Sequence, residues 1–338
     1  MIFRTLTKKT LPRFLDTVSE NYRLIVPEQK GKETYTFRHY SGFSNVATEF
    51  LRTVIPPKQF FFPPKEGLFH IKGTSSDLEV SIEEPPFSII FGLHPCDLHG
   101  IDILDKAFSY KERDSFYWKR REKTGFIGLS CLPDKYCLCK SMHTDFIVDI
   151  YDLFLYTLDE VYMVSVRTAL GDDMLRLCPD LFREPTGKEI AEYKERILIR
   201  EAMFTRIMDI TNLADLLTLE YKSDVWEQYS HRCLFCGSCV MVCPTCQCFD
   251  IYDSTDLLTD TTVRWRRWDA CMRKDYALIT GGHNFRGARP ERFRFRYLHK
   301  EMGFAEMYGK ATCTGCGRCS ETCPAGIDMV EVVRSIRE

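Results

Sequence analysis

Two hydrophobic rhythms divide the first two-thirds of the chain. LPRFLDTVSENY spaces Leu11, Phe14, Leu15 and Val18 at three- and four-residue intervals, which predicts an amphipathic helix leading into a strand at RLIVP. FSIIFGL at 87–93 and GFIGLS at 125–130 are short unbroken apolar runs and predict buried strands. Each leads straight to a cysteine, Cys96 after the first and Cys131 after the second, and ligands often bind at the carboxyl ends of strands in α/β sheets. DFIVDIY and VYMVSVRT predict further strands. GFSNVATEFLRTVI reads as a helix with a Ser or Asn cap, TGKEIAEYKERILIREAMFTRI as a long helix capped by a threonine, and DLLTLEYKSDVWEQYSHRC as helix. PPKQFFFPPKEGLFHI, bounded by prolines, reads as extended chain.

Composition changes this picture through cysteine. The 338 residues contain 16 cysteines, and a formal net charge of −2 implies no bulk attraction to nucleic acid or membrane. No signal peptide is evident at the N-terminus, and no apolar stretch is long enough to span a bilayer. The expectation is therefore a cytoplasmic protein whose reduced thiols are free to bind metal. Residues 1–230 hold five cysteines and residues 231–338 hold eleven. That shift predicts a boundary near 225, with a mixed α/β domain over 1–225 and a cysteine-rich domain over 226–338.

CLFCGSCVMVCPTCQC packs six cysteines into residues 233–248. Four of them, Cys233, Cys236, Cys239 and Cys243, recur as Cys313, Cys316, Cys319 and Cys323, at an offset of 80 residues, and both copies end in Cys-Pro. C-x2-C-x2-C-x3-C-P is the bacterial ferredoxin run, whose fourth cysteine ligates the other of two [4Fe-4S] clusters. The spacing predicts one cluster on Cys233, Cys236, Cys239 and Cys323, and a second on Cys313, Cys316, Cys319 and Cys243. Zinc would need paired C-x2-C half-sites rather than a repeated triplet with a distal Cys-Pro. Cys239, Cys243 and Cys246 also have the C-x3-C-x2-C spacing of radical-SAM enzymes, but that motif belongs early in a repeated β/α barrel, and here another ferredoxin run follows it. The fold class expected is α+β: a mixed α/β N-terminal domain followed by an α-helical ferredoxin domain with two [4Fe-4S] clusters.

Cys96, Cys131, Cys137 and Cys139 form a looser set that admits a third [4Fe-4S] cluster, a zinc site or buried structural thiols. Asp97 is expected to cap a helix at Cys96, with His99 beside it. Cys178 reads as packing; Cys246, Cys248 and Cys271, surplus thiols near the clusters, read as residues that support the cluster ligands or pack. Residues 264–300 carry eleven Lys or Arg against three Asp or Glu, with aromatics between them. Cluster packing and docking of a partner are the expected role of that stretch, with a solvated surface as the plain alternative; nucleic acid, which the pattern also raises, does not suit a chain that is not basic overall. The chain lacks a G-x-G-x-x-G after a strand, a Walker A motif and any discernible catalytic arrangement, so no catalytic residue is expected.

HPCDLHGIDILD, GLSCLPDKYCLCKSM, CLFCGSCVMVCPTCQCFD, WDACM, GGHNFR, YLHK and CTGCGRCSETCP occur in this order. Over residues 90–338 the chain resembles the family that includes the iron–sulfur subunit of anaerobic sulfite reductase and the β subunit of cytoplasmic sulfhydrogenases, and over 1–90 only loosely. The resemblance implies an electron relay between an FAD/NAD(P)-binding flavoprotein subunit and a catalytic oxidoreductase subunit of the hydrogenase, sulfite reductase or heterodisulfide-reductase type. It also implies a third cluster on Cys96, Cys131, Cys137 and Cys139. The sequence departs from that family at His94, where arginine is usual, and at His143, where glycine is usual. The rival reading is an iron–sulfur redox-sensing regulatory protein, which would copurify with nucleic acid rather than with a flavoprotein.

Overall fold

The computed structural model describes residues 2–72, 78–81, 84–302, 304 and 308–338. An eight-stranded mixed sheet dominates the N-terminal part. Its strands are β1 (Ile2–Thr7), β2 (Arg23–Gln29), β3 (Tyr35–His39), β6 (Ser88–Leu93), β7 (Thr124–Leu129), β8 (Leu153–Thr157), β9 (Val161–Val166) and β10 (Phe182–Arg183), in the order β10-β1-β9-β8-β7-β6-β2-β3. The central pairs β2–β6, β6–β7 and β7–β8 are parallel and the flanking pairs antiparallel. In β6, Ile89 and Phe91 enter one core while Ile90 enters another, the two-residue alternation of a strand buried on both faces, and past an irregularity at Gly92 Leu93 joins the core of Ile90. Helices α1 (Leu11–Asn21) and α4 (Ala169–Arg176) cover the first face. Helices α2 (Pro95–Ala107) and α3 (Ser115–Glu122) cover the second.

A second sheet is antiparallel and runs β11-β12-β4-β5, from β4 (Lys65–Lys72), β5 (Leu78–Val80), β11 (Phe249–Asp256) and β12 (Thr261–Trp268). Its middle pair joins β4 to β12, so the sheet takes strands from both sides of residue 225. Arg266 on β12 lies opposite Glu66 on β4, pairs with it at 2.7 Å and also meets Asp114 at 2.5 Å, at an almost fully buried junction.

A third core surrounds the cysteine runs. Trp226 and Tyr229 of α7 (Val225–Arg232), Val240 of α8 (Ser238–Met241), Phe293 and Tyr297 of α9 (Arg289–Glu301), and Val332 and Val333 of the closing helix Met329–Arg337 pack with Leu138 and Met142 from the N-terminal part. The cysteine-rich part is thus helical around the runs and forms a β-hairpin between them.

Several local expectations hold. Thr186 caps α5 (Gly187–Ala202) in a full capping box with Glu189. Others change. GFSNVATEFLRTVI forms only the 3-10 turn Phe43–Asn45, since Gly42 and the Pro56–Pro57 pair confine it and its apolar residues pack as irregular chain. The strand expected at DFIVDIY lies later, at β8. DLLTLEYKSDVWEQYSHRC is two helices, α6 (Leu213–Leu219) and α7, separated by a 3-10 turn at Glu220–Lys222. The hairpin β11–β12 lies outside those expectations: RWRRW reads as a charge cluster, but its alternation is that of a strand.

Candidate iron–sulfur centre

The two ferredoxin runs fold alike. Phe235 and Gly315 occupy the left-handed region at φ 54° and 60°, and Gly237 and Gly317 follow at 83° and 79°. Each run then makes one short helix, α8 in the first and Arg318–Glu321 in the second. The tight turn directs the amide of Phe235 at Cys233 Sγ and that of Gly315 at Cys313 Sγ, both at 3.4 Å. Cys323 Sγ accepts from the amide of Ile327 at 3.3 Å.

The runs exchange their last cysteines. Cys233 and Cys239 share an electrostatic neighbourhood with Cys236 and with Cys323 of the other run. Cys243 joins Cys313, Cys316 and Cys319 around a small cavity that Leu138, Arg296 and Lys300 also line. Backbone N–H groups aimed at sulfur and four thiols about one cavity form a donor set that fits a thiolate-held cluster. Among the described residues no group of His, Cys, Asp or Glu is arranged to hold a single metal ion.

The looser set also converges. Because β6 and β7 are parallel neighbours, their carboxyl ends bring Cys96, on the first turn of α2, beside Cys131. Cys137 and Cys139 lie in the loop that follows, and Cys139 interacts electrostatically with Cys137, Cys96 and Cys131. Asp134 organises that loop: its Oδ1 accepts from the amides of Tyr136 and Cys137 at 2.9 and 3.1 Å. Burial pushes the Cys131 thiol up to about 11, so a thiolate there needs a cationic partner such as a metal. The loop sits directly on the second run. Leu138 donates to the Gly315 carbonyl at 2.7 Å, and Thr144 Oγ1 to the Thr314 carbonyl at 2.6 Å. A hollow of about 1540 Å³ opens at the carboxyl ends of β7 and β8, with Arg52, Cys131, Asp134 and Arg200 in its wall.

Buried cations, invisible to motif reading, mark each group. Lys300 Nζ lies 2.9 Å from Cys243 Sγ, and Arg52 Nη2 lies 3.3 Å from Cys137 Sγ. Cys243 is held well below the ordinary thiol range, first by a hydrogen bond from Cys246 and, against the cost of burial, by Lys300 and Lys58. Arg296 interacts electrostatically with Cys239 and Cys319, and Arg318 with Asp97 first and then with Cys316 and Cys96. Lys58 comes from an aromatic stretch with no local pattern that marks it.

Four histidine and aspartate positions resolve. His94 is the N-cap residue of α2, and its ring packs against Phe50 with its nitrogens 2.9 and 3.0 Å from the carbonyls of Leu129 and Phe50. Asp97 does not cap α2, because the Arg318 guanidinium claims its carboxylate at 2.8 Å. His99 faces Lys310 and the Phe146 carbonyl. His143 has φ 52°, the left-handed conformation that glycine takes without strain. Cys178 is buried in the first core, away from the other thiols. Most of the arginines in 264–300 are bound within the chain: Arg264 to Asp253, Arg267 to Asp250, Arg273 to Asp269, and Arg289 and Arg292 to backbone carbonyls.

Repeated ferredoxin turns, converging thiols and buried counter-charges define an iron–sulfur protein. Residues 232–327 match the family described as a 4Fe-4S dicluster domain. The whole chain is 36% identical, over 343 aligned residues, to sulfhydrogenase 2 subunit beta of Pyrococcus furiosus, covering 100% of this chain and 99% of that relative. The chain belongs to the sulfhydrogenase β-subunit family. No solved structure matches it. Among the described residues no helix is long and apolar enough to cross a membrane.

Proposed function

We propose that the chain is the electron-transfer subunit of a cytoplasmic multi-subunit redox complex. Cys233, Cys236, Cys239 and Cys323 hold one [4Fe-4S] cluster, and Cys313, Cys316, Cys319 and Cys243 hold a second. Cys96, Cys131, Cys137 and Cys139 hold a third. Bound there, iron–sulfur clusters supply one-electron exchange. The observation that carries this reading is the convergence of Cys243 with Cys313, Cys316 and Cys319 on one small cavity lined by Arg296 and Lys300, with the buried guanidiniums of Arg296 and Arg318 interacting with thiols of neighbouring groups. A cation shared by two anionic centres stabilises both and favours the reduced form of each.

The protein residues have separate tasks. The helical ferredoxin part, from about 226 onward, binds two clusters, while the mixed sheet of 1–225 presents the third at its strand ends. Arg52, Arg296, Arg318 and Lys300 neutralise the thiolates. Leu138, Phe293 and Tyr297 exclude water from them. Cys236 is exposed, which places one end of the series of groups at the surface. The hollow beside Cys131 supports a second docking surface at the other end. One partner is an FAD/NAD(P)-binding subunit and the other a catalytic oxidoreductase subunit, each docking at one of these faces. The sulfhydrogenase relative supports membership of such an assembly.

The test is anaerobic iron and acid-labile sulfide per chain, compared with Cys131→Ser/Cys137→Ser and Cys316→Ser/Cys319→Ser variants. Each double variant is expected to lose about four iron and four sulfide. A wild-type content below about eight overturns the reading. Crosslinking that places both partners on one face overturns the two-ended arrangement.

A further inference from the structure

Between β12 and α9, residues 274–288 form a small flap rooted on both sides of the first ferredoxin turn. At one root, an ideal Cβ on Gly237 would lie 2.8 Å from the Ala270 Cβ and 3.8 Å from Arg273 Nε. At the other, the Arg289 guanidinium lies 4.5 Å over the Phe235 ring and donates to the Cys233 carbonyl at 2.6 Å. Phe235 and Gly237 flank Cys236, the one exposed thiol among the sixteen. The flap therefore rises on either side of that thiol.

The flap is held by its own backbone. Leu278 and Asn284 form an antiparallel bridge, the Ile279 amide donates to the His283 carbonyl at 2.9 Å, and the Asn284 side chain donates to the Lys274 carbonyl at 2.6 Å. Fixed in this way, it leaves apolar side chains in solvent. Phe285 is 65% exposed and Leu278 and Ile279 each 48%, while Leu234, in the turn itself, is 64% exposed. None of the four enters a hydrophobic core. Apolar side chains gathered beside an exposed thiol mark a contact surface, which single scattered ones do not.

The charge around these residues has one sign. Residues 273–289 carry Arg273, Lys274, Arg286 and Arg289 against the single carboxylate of Asp275, in a chain whose formal net charge is −2. Arg273 is paired with Asp269. Arg286 lies 3.8 Å over the Phe295 ring and Arg289 binds carbonyls, so neither charge is offset by a carboxylate. An apolar centre with a cationic rim is complementary to an apolar centre with a rim of carboxylates. An anionic lipid surface shares that chemistry; the thiol between the two roots is what selects a redox protein.

We propose that this collar docks an acidic one-electron carrier protein, whose carboxylates meet Lys274 and Arg286 and whose apolar surface meets Leu234, Leu278 and Phe285. The inference rests on the reading of Cys236 as a cluster ligand. In the docked pair one electron leaves the carrier's redox group, which is oxidised, and enters the cluster, which is reduced; no bond forms or breaks.

The test mixes the anaerobically purified full chain with a reduced, acidic plant-type [2Fe-2S] ferredoxin and follows reduction of the chain by stopped-flow absorbance. The rate is expected to fall as salt rises from about 50 to about 500 mM. Lys274→Glu/Arg286→Glu is expected to slow it about tenfold at low salt, a difference that shrinks at high salt. Phe285→Ser is expected to slow it at every salt concentration, and this exposed substitution keeps the test open if the double variant loses iron. Iron below about eight per chain overturns the relay reading. Full iron, with a rate indifferent to salt and to both variants, overturns this proposal alone. Binding to phosphatidylglycerol vesicles without reduction by the ferredoxin overturns it as well.

Discussion

Arg318 faces Asp97 at 2.8 Å, with both side chains 1% exposed, one from the second ferredoxin run and the other next to Cys96. Both carboxylate oxygens are buried without a hydrogen-bond partner, so the Arg318 guanidinium is the charge that offsets the burial of Asp97. Arg318→Gln is expected to destabilise the chain by about 3–5 kcal/mol, because it leaves a buried carboxylate unpaired. Anaerobic thermal unfolding of the variant checks this. A variant within about 1 kcal/mol of wild type would show that the contact is not a working ion pair.

Gly315 tests the seating of the 136–139 loop on the second run. At φ +60°, an added Cβ would lie 2.4 Å from the Leu138 carbonyl carbon and 2.6 Å from the Cys139 amide. Gly315→Ala therefore displaces backbone rather than a yielding side chain, and the strain alone costs on the order of 1–3 kcal/mol. The expected outcome is loss of the iron proposed at Cys96, Cys131, Cys137 and Cys139, read as about four iron per chain. Full retention of iron would show that the loop accommodates the methyl group.

Lys300→Met removes a cation 2.9 Å from Cys243 Sγ and keeps most of the volume. With less positive charge nearby, the added electron is held less tightly. The potential of the cluster at Cys243 is expected to fall by on the order of 60 mV, a tenfold change in a one-electron equilibrium. An EPR-monitored redox titration measures it, and an upward shift would contradict the assignment of Lys300.

His99 predicts a pH dependence. Burial, and then the Lys310 ammonium, lowers its pKa from 6.5 to about 4. The folded state therefore binds this proton more weakly than the unfolded chain does. The stability linked to the neutral ring is complete above 6.5 and is lost as pH falls from 6.5 towards about 4. Thermal unfolding at about pH 7.5 and about pH 5 should show a larger loss in wild type than in His99→Gln. Equal losses would remove His99 from the account.

Much of the site was legible because iron–sulfur ligation imposes spacing along the chain. The ferredoxin runs declare themselves in the repeated triplet and Cys-Pro, and the proposed exchange of Cys243 and Cys323 rests on that pattern. Strand ends at Cys96 and Cys131 were legible as apolar runs stopping at cysteines. Lys58, Arg52 and Arg318 were not, since a cation buried by distant elements leaves no local period. The pairing of β4 with β12 was hidden for the same reason: strand partners remote in sequence are chosen by tertiary packing. Asp97 looked like a helix cap because the local motif shows the helix and not Arg318, which arrives from the far end of the chain.

The strand pair β4–β12 makes the two halves unequal partners in time. As the chain leaves the ribosome, β4 emerges long before the strand that covers its edge, and Glu66 long before Arg266. Until then β4 presents open hydrogen-bonding groups that invite pairing with other chains. The cysteine-rich half is therefore no detachable cassette. Cutting the chain near 225 is expected to leave an N-terminal fragment that aggregates, and a modular rearrangement in evolution would have to carry both strands together.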